Sequence, residues 1–186
     1  LAVSPYNADY TFYMLGKTAY GLVLPQEQVA VENSYDPSAL ISLAYTTDNT
    51  LNFKNLGSLI KFDVISDGVT SVTIRSNEDD KLSGNYFARY DDPIAINIKE
   101  GVNEVTLKGD FKKGSTYYIV TLPATLEKGF IVLLNGSVKA MSIDAPVQLA
   151  RSGMVNLGDL SLNPGESQLP DSGEEDEDEG APSDWV

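Results

Sequence analysis

Almost all side chains in this chain that could do chemistry at neutral pH are carboxylates. The 186 residues include 27 Asp and Glu but no His and no Cys. Without His there is no imidazole base for a Ser-His-Asp triad, and the commonest zinc ligand is missing. Without Cys there is no thiol nucleophile, thiolate metal site or disulfide. Acid–base catalysis would therefore depend on pairs of carboxylates.

Two adjacent carboxylate pairs, Asp79-Asp80 and Asp91-Asp92, lie in segments predicted to be loops. A glycosidase needs two carboxyl groups about 5 to 10 Å apart across a cleft, and adjacency in sequence gives no sign of that arrangement. Turn chemistry explains both pairs. Asn77, Asp79 and Asp80 are a weak calcium candidate, because the twelve-residue loop with its terminal Glu is missing. We predict no catalytic, cofactor-binding or metal-binding residue and interpret the protein as a non-enzyme.

The tyrosines near the amino terminus are the remaining side chains with a candidate binding role. Aromatic ring faces complement the apolar side of a pyranose, so these tyrosines would suit a sugar-stacking platform. The alternative is that Tyr is a favoured strand residue whose polar tip lies at the surface of a sandwich. Tyr10, Tyr13 and Tyr20 are the predicted partner-contact residues.

Charge divides the chain into two regions. Residues 164–186 contain nine acidic and no basic residues, including six consecutive acids at Glu174–Glu179. Such a run, flanked by Pro, Gly and Ser, predicts a disordered acidic linker or tail after a single domain over residues 1–163. That domain keeps 18 acidic and 13 basic residues, a net charge of about −5. Nucleic acid is not an expected partner, because no basic stripe is available to meet phosphates.

Short alternating strands dominate residues 51–134. In Gly57–Ser66, Ile60, Phe62 and Val64 share one face, as in a half-buried strand. Asp67-Gly68 predicts a hairpin that pairs this segment with Thr70–Arg75.

Other turns and strands follow the same pattern. Asn135-Gly136 predicts a hairpin between Phe130–Leu134 and Ser137–Ile143, and Glu100-Gly101 predicts a turn. Two apolar runs without alternation, Tyr117–Leu122 and Phe130–Leu134, predict central strands covered on both faces. Strands about every ten residues predict an all-β, antiparallel β-sandwich of about seven or more strands, rather than βαβ units.

Seven segments carry a family resemblance. They are LPQEQ (24–28), SYDPSALISLAY (34–45), LNFKNLGSLIKFDV (51–64), VTSVTIRSN (69–77), LSGNY (82–86), TYYIVTLPATLEKGFIVLL (116–134) and LARSGMVNLG (149–158). In this order they resemble the fimbrillin-type domain of Bacteroidales surface proteins, which include major and minor fimbrial subunits and related lipoproteins. The match covers most of the body and none of the acidic tail.

The resemblance implies a transthyretin-like sandwich that is exported to the cell surface or outer membrane. It implies a structural or adhesion role, with other surface or fimbrial subunits as partners, and a host protein or glycan as further candidates. Family members exchange strands between subunits, a form of β-augmentation. The expected contact edges are Leu1–Leu15 and Val155–Leu162.

Two departures from the family and one alternative accompany this expectation. Membrane contact would come only through a lipid anchor, whose Cys this sequence lacks. The first arginine is Arg75, inside the predicted sandwich, whereas fimbrial subunits are cut at an arginine near their first strand. The alternative function is that of a glycan-binding accessory lipoprotein in a polysaccharide-uptake system, which the tyrosines favour.

Overall fold

The computed structural model describes residues 1–5 and 13–163, and the described residues form strands, turns and loops without a helix. No helix in these ranges is therefore long and apolar enough to cross a membrane. The predicted acidic tail, residues 164–186, lies outside the described residues. The strands are β1 (Ala2–Ser4), β2 (Tyr13–Leu15), β3 (Thr18–Leu24), β4 (Glu27–Val29), β5 (Ser42–Ala44), β6 (Lys54–Asn55), β7 (Ser58–Val64), β8 (Ser71–Ser76), β9 (Ser83–Arg89), β10 (Ala95–Val102), β11 (Glu104–Lys108), β12 (Ser115–Thr121), β13 (Ala124–Leu126), β14 (Phe130–Leu134), β15 (Val138–Ile143), β16 (Val147–Leu149) and β17 (Met154–Leu160).

Two sheets enclose the larger core. One has the strand order β15-β14-β8-β11-β4 and the other the order β12-β7-β17. The predicted alternation of β7 is confirmed, because Ile60, Phe62 and Val64 are fully buried while Lys61 and Asp63 are partly exposed. Most strand pairs are antiparallel, but β4 runs parallel to β11 and β17 runs parallel to β7. The fold is thus an all-β sandwich, as the sequence predicts.

A second core lies beneath a four-stranded sheet with the order β10-β9-β3-β2. Leu22 of β3, Tyr86 of β9 and Leu43 of β5 are buried there. The strand β12 lies between the two cores, since Ile119 belongs to the larger cluster and Val120 to the second. Strand β5 also belongs to a small sheet, β1-β5-β6, and β13 pairs with β16.

The central position predicted for Tyr117–Leu122 is wrong, although both of its faces are covered as expected. Within the described chain β12 pairs with β7 alone and forms an edge of its sheet. On the other side of β12, the side chain of Gln28 pairs with Val120, because its amide donates to the Val120 carbonyl at 2.7 Å and accepts from the Val120 N–H at 3.0 Å. A buried side-chain amide thus replaces a neighbouring strand.

The Asn135-Gly136 hairpin is confirmed. The Ser137 N–H donates to the Leu134 carbonyl, and both central residues have positive φ, 50° and 75°, as a type I′ turn requires. The turn joins β14 to β15 in antiparallel register.

The hairpin predicted at Asp67-Gly68 is wrong. Strand β7 pairs with β12 and β17, so both of its edges are occupied, and β8 lies in the opposite sheet between β14 and β11. The connection therefore crosses from one layer to the other. Asn135 holds it in place by accepting from the Thr70 N–H at 2.8 Å and donating to the Gly68 carbonyl at 2.9 Å.

The turn predicted at Glu100-Gly101 is also wrong, because both residues lie within β10. The register of β10 against β9 shifts between Ile98 and Glu100, and Gly101 pairs with Gly84. A Cβ on Gly84 would lie 2.2 Å from the Glu100 carbonyl oxygen. The glycines therefore serve a close backbone approach at a β-bulge rather than a reversal of the chain.

Candidate functional site

The outer edge of the four-stranded sheet is formed by β2, the first strand of a tight hairpin with β3. A two-residue loop, Gly16 and Lys17, separates the paired residues Leu15 and Thr18. Gly16 has a φ of 59°, and glycine is the preferred residue at the first position of such a turn. All three residues of β2 are exposed.

This hairpin starts a file of aromatic rings that crosses the outer face of the sheet. The Tyr13 and Tyr20 rings stack with centroids 4.8 Å apart and planes at 14°. Tyr20 in turn stacks on Phe87 of β9, at 5.4 Å and 27°. The Lys99 ammonium, from the neighbouring strand β10, lies 5.0 Å from the Phe87 ring centroid in a cation–π contact.

The file leaves one ring face open at the edge of the sheet. The faces of Tyr20 are covered by Tyr13 on one side and by Phe87 on the other. No other ring among the described residues is stacked on the outer face of Tyr13. Tyr13 is 60 % exposed and Leu15, two residues along the same face, is 70 % exposed. Within the described part of the chain, the file is therefore open at β2.

Backbone groups of β2 also have no strand partner at this edge among the described residues. The Tyr90 N–H donates to the Lys17 carbonyl at 2.8 Å, so the backbone groups of Lys17 point towards β9. Those of the next residue, Thr18, therefore point towards β2. Leu15, the partner of Thr18, directs its backbone groups towards β3. By alternation the N–H and carbonyl of Met14 point away from the sheet. Met14 therefore offers one donor and one acceptor to an incoming strand.

An open groove lies at the other end of the same sheet, where β3, β9 and β10 meet. Its lining includes Val23, Gln26, Asn85, Glu100 and Val102. Asn85 pairs with Val23 and lies two residues before Phe87, on the same face of β9. The outer face of this sheet thus combines apolar and amide surface next to the aromatic file.

The predicted carboxylate pairs are engaged in local contacts. Asp79 forms an ion pair with Lys81, Asp80 accepts from the Ser76 hydroxyl at 2.7 Å, and Asp91 forms an ion pair with Arg89. Among the described residues no group of three or more acidic side chains is arranged to hold a metal ion. These contacts are those of turn residues.

In the described part of the chain, the carboxyl groups with shifted pKa values are all shifted downwards. Burial raises the pKa of Asp36, but hydrogen bonds from the Val29 N–H and from Ser38 outweigh it, and the pKa falls below its ordinary value. Hydrogen bonds from Lys112 and Ser115 lower the pKa of Glu32. A catalytic carboxylic acid needs the opposite shift, which keeps it protonated near neutral pH.

A second aromatic pair flanks the same sheet. Tyr45 and Tyr90 lie with ring centroids 6.0 Å apart, and the ammonium groups of Lys17 and Lys54 lie over them at 5.0 and 5.3 Å respectively. Both rings are partly buried, so we interpret this group as packing between the β5 region and the four-stranded sheet.

The structure brings two of the three predicted contact residues together. Tyr13 and Tyr20 form a stacked pair, whereas Tyr10 lies outside the described residues. Sequence reasoning missed Phe87, Lys99 and the role of Met14. The available signal for Phe87 was its position between Asn85 and Arg89 on the polar face of a predicted strand.

Both expected contact edges contain edge strands in the described part of the chain. Strand β1 ends the sheet β1-β5-β6, β2 ends the four-stranded sheet and β17 ends the sheet β12-β7-β17. In β17 the register against β7 shifts after Asn156, and the Asn156 side chain accepts from the Gly158 N–H. Such a bulge disfavours further pairing, so β2 is the more open edge.

Comparisons with known proteins add no assignment: no protein-family model matches the chain, and a search of curated proteins finds no match.

Proposed function

We propose that this chain is a non-enzymatic structural or adhesion module of the cell surface, of fimbrillin type with a transthyretin-like sandwich. It acts through strand addition to the edge of β2, with other surface subunits as its partners. The observation that carries the proposal is the edge itself. Tyr13, Met14 and Leu15 are all exposed large hydrophobic residues, and the backbone groups of Met14 point outwards.

Strand addition by β-augmentation needs unpaired backbone groups for affinity and side-chain contacts for specificity. The edge supplies the first through Met14 and the second through the exposed side chains of Tyr13 and Leu15. The family resemblance supports an exported location and a surface partner. The absence of His and Cys favours binding over catalysis.

This function is tested in the cells that produce the protein. Intact cells are labelled with an antibody to the chain, and sheared surface material is sized. We expect surface labelling and assemblies larger than the single chain for the native protein and for Met14→Ala. We expect loss of the assemblies for Met14→Pro, because proline lacks the outward N–H. Lack of labelling, or an unchanged assembly in Met14→Pro, contradicts the proposal.

Glycan binding is the second candidate, as in an accessory lipoprotein of a polysaccharide-uptake system. The groove beside the aromatic file favours it, because Asn85 and Gln26 offer amide groups next to the apolar Val23. The stacking geometry of the aromatic file also limits where a sugar ring could bind. Among the described rings of this file, only the outer face of Tyr13 is available to a stacking sugar ring, since both faces of Tyr20 are occupied and the Lys99 ammonium lies over Phe87.

A glycan array separates the two candidates. Sugar binding that is lost in Tyr13→Ala but retained in Phe53→Ala, an exposed aromatic residue outside the file, would support the glycan function. A blank array for the native protein removes this candidate and leaves the structural one unaffected.

A further inference from the structure

We propose that a second copy of this chain occupies the edge of β2 and pairs antiparallel to it across a two-fold axis centred on Met14. The inference rests on the proposed function, because it names the partner for the same edge. It joins the two four-stranded sheets into one sheet that runs through both copies.

The backbone of β2 is self-complementary. Met14 is the middle residue of the three-residue strand, and its N–H and carbonyl both point outwards. A two-fold axis at Met14 places the N–H of each copy opposite the carbonyl of the other, which is the hydrogen-bonded pair of an antiparallel ladder. Closed two-fold interfaces of this kind use the same patch on both subunits.

The side chains fit the same register. Tyr13 of one copy lies opposite Leu15 of the second copy, and Leu15 opposite Tyr13. Both are non-hydrogen-bonded pairs, in which side chains approach most closely. Tyr13 and Leu15 are 60 % and 70 % exposed in the single chain. Pairing therefore covers the open ring face of the aromatic file with an apolar side chain.

The net charge should make the association of two copies depend on salt concentration. Each chain carries a formal net charge of −14, whereas β2 itself contains no charged residue. Two copies therefore repel at long range but meet through an uncharged strand. Added salt screens the repulsion, so association should strengthen as ionic strength rises. Because the paired strand is short, we expect a weak complex with a dissociation constant on the order of 0.1 mM.

Disulfide trapping tests the register in the full chain, which has no cysteine of its own. Tyr13→Cys and Leu15→Cys are mixed under mild oxidation, with one variant enlarged by a tag so that mixed dimers separate by size. In the proposed register their Cα atoms lie about 4.5 Å apart, within disulfide range. Two copies of the same variant place the cysteines about 8 Å apart, outside that range.

The expected result is several-fold more mixed dimer than same-variant dimer, rising with salt. Met14→Cys, which keeps Tyr13 and Leu15, should cross-link with itself. The collision control is Met154→Cys, which is 58 % exposed on β17. Mixed dimer at the level of Met154→Cys, or a predominance of same-variant dimer, overturns the inference. If that occurs while Met14→Pro still abolishes the surface assemblies, the proposed function stands and another subunit occupies β2.

Discussion

Gln28 pairs with the free edge of β12 at Val120, between the two cores. It is 1 % exposed, and its amide both donates to and accepts from the Val120 backbone. Nothing in the segment Leu24–Gln28 distinguishes this glutamine from the exposed Gln26 in sequence. Its role depends on the chain bringing residue 28 next to residue 120, which local patterns do not encode.

Replacing Gln28 with Met keeps the length of the side chain but removes the amide. The Val120 N–H and carbonyl then lose their partners in a buried site, so the free energy of unfolding should fall by about 1–3 kcal/mol. Urea unfolding measures this change. The matched control is Gln26→Met, whose exposed amide contacts Glu104, with an expected change within about 0.5 kcal/mol. Equal effects of the two substitutions would show that the buried amide contributes no more to the free energy of unfolding than the exposed one does.

Asp36 links pH to stability. Although burial raises its pKa, hydrogen bonds from Val29 and Ser38 lower it more, and the folded pKa lies below the unfolded value. A carboxyl group with a lowered folded pKa stabilises the protein fully above the unfolded pKa, and this stabilisation disappears as pH falls through the folded pKa.

The variant Asp36→Asn should therefore be less stable than the native protein at pH 7, and the difference should shrink below about pH 4. Urea unfolding across this range gives the comparison, with the exposed Glu127→Gln as control. A constant difference at every pH would contradict the assigned role of the ionised carboxylate.

At the scale of elements, two similar turn sequences have different structures. Asn135-Gly136 and Asp67-Gly68 both predict hairpins, but only the first joins paired strands. A turn sequence sets the local reversal of the chain, whereas pairing depends on which edges are free. Strand β7 has no free edge, because β12 and β17 pair with its two sides.

Asn135 lies in the turn between β14 and β15, and its side chain also bonds to the connection between β7 and β8. Two substitutions separate the contributions of its backbone conformation and its side-chain bonds to stability. Asn135→Gly keeps the positive φ but loses the bonds to Thr70 and Gly68, which should cost about 1 kcal/mol. Asn135→Ala loses the same bonds and, unlike Asn or Gly, has no feature that favours the left-handed region, so it should cost about 1–2 kcal/mol more than Asn135→Gly. Thermal or urea unfolding ranks the variants. If Ala is tolerated as well as Gly, backbone strain at this turn is not important.

For the molecule as a whole, the sequence indicated the all-β class correctly, and β7 and the β14–β15 hairpin follow from local patterns. The division of residues 1–163 and 164–186 into domain and tail stays a prediction. The aromatic file was not predictable as a unit, because its rings come from residues 13, 20 and 87. Pairing of β2, β3 and β9 brings them together, and a long-range strand order is not readable from periodicity.

At the scale of the whole molecule, the proposed function depends on the sheet edge at β2 rather than on a catalytic pocket. Hydrogen exchange of individual β2 amides tests this most directly, by comparing purified monomer with sheared surface assemblies. In the monomer, Met14 should exchange quickly, whereas Tyr13 and Leu15, bonded towards β3, should be protected. In the assemblies the Met14 amide should become protected while its neighbours change little. Fast exchange of Met14 in the assemblies would contradict strand addition at β2.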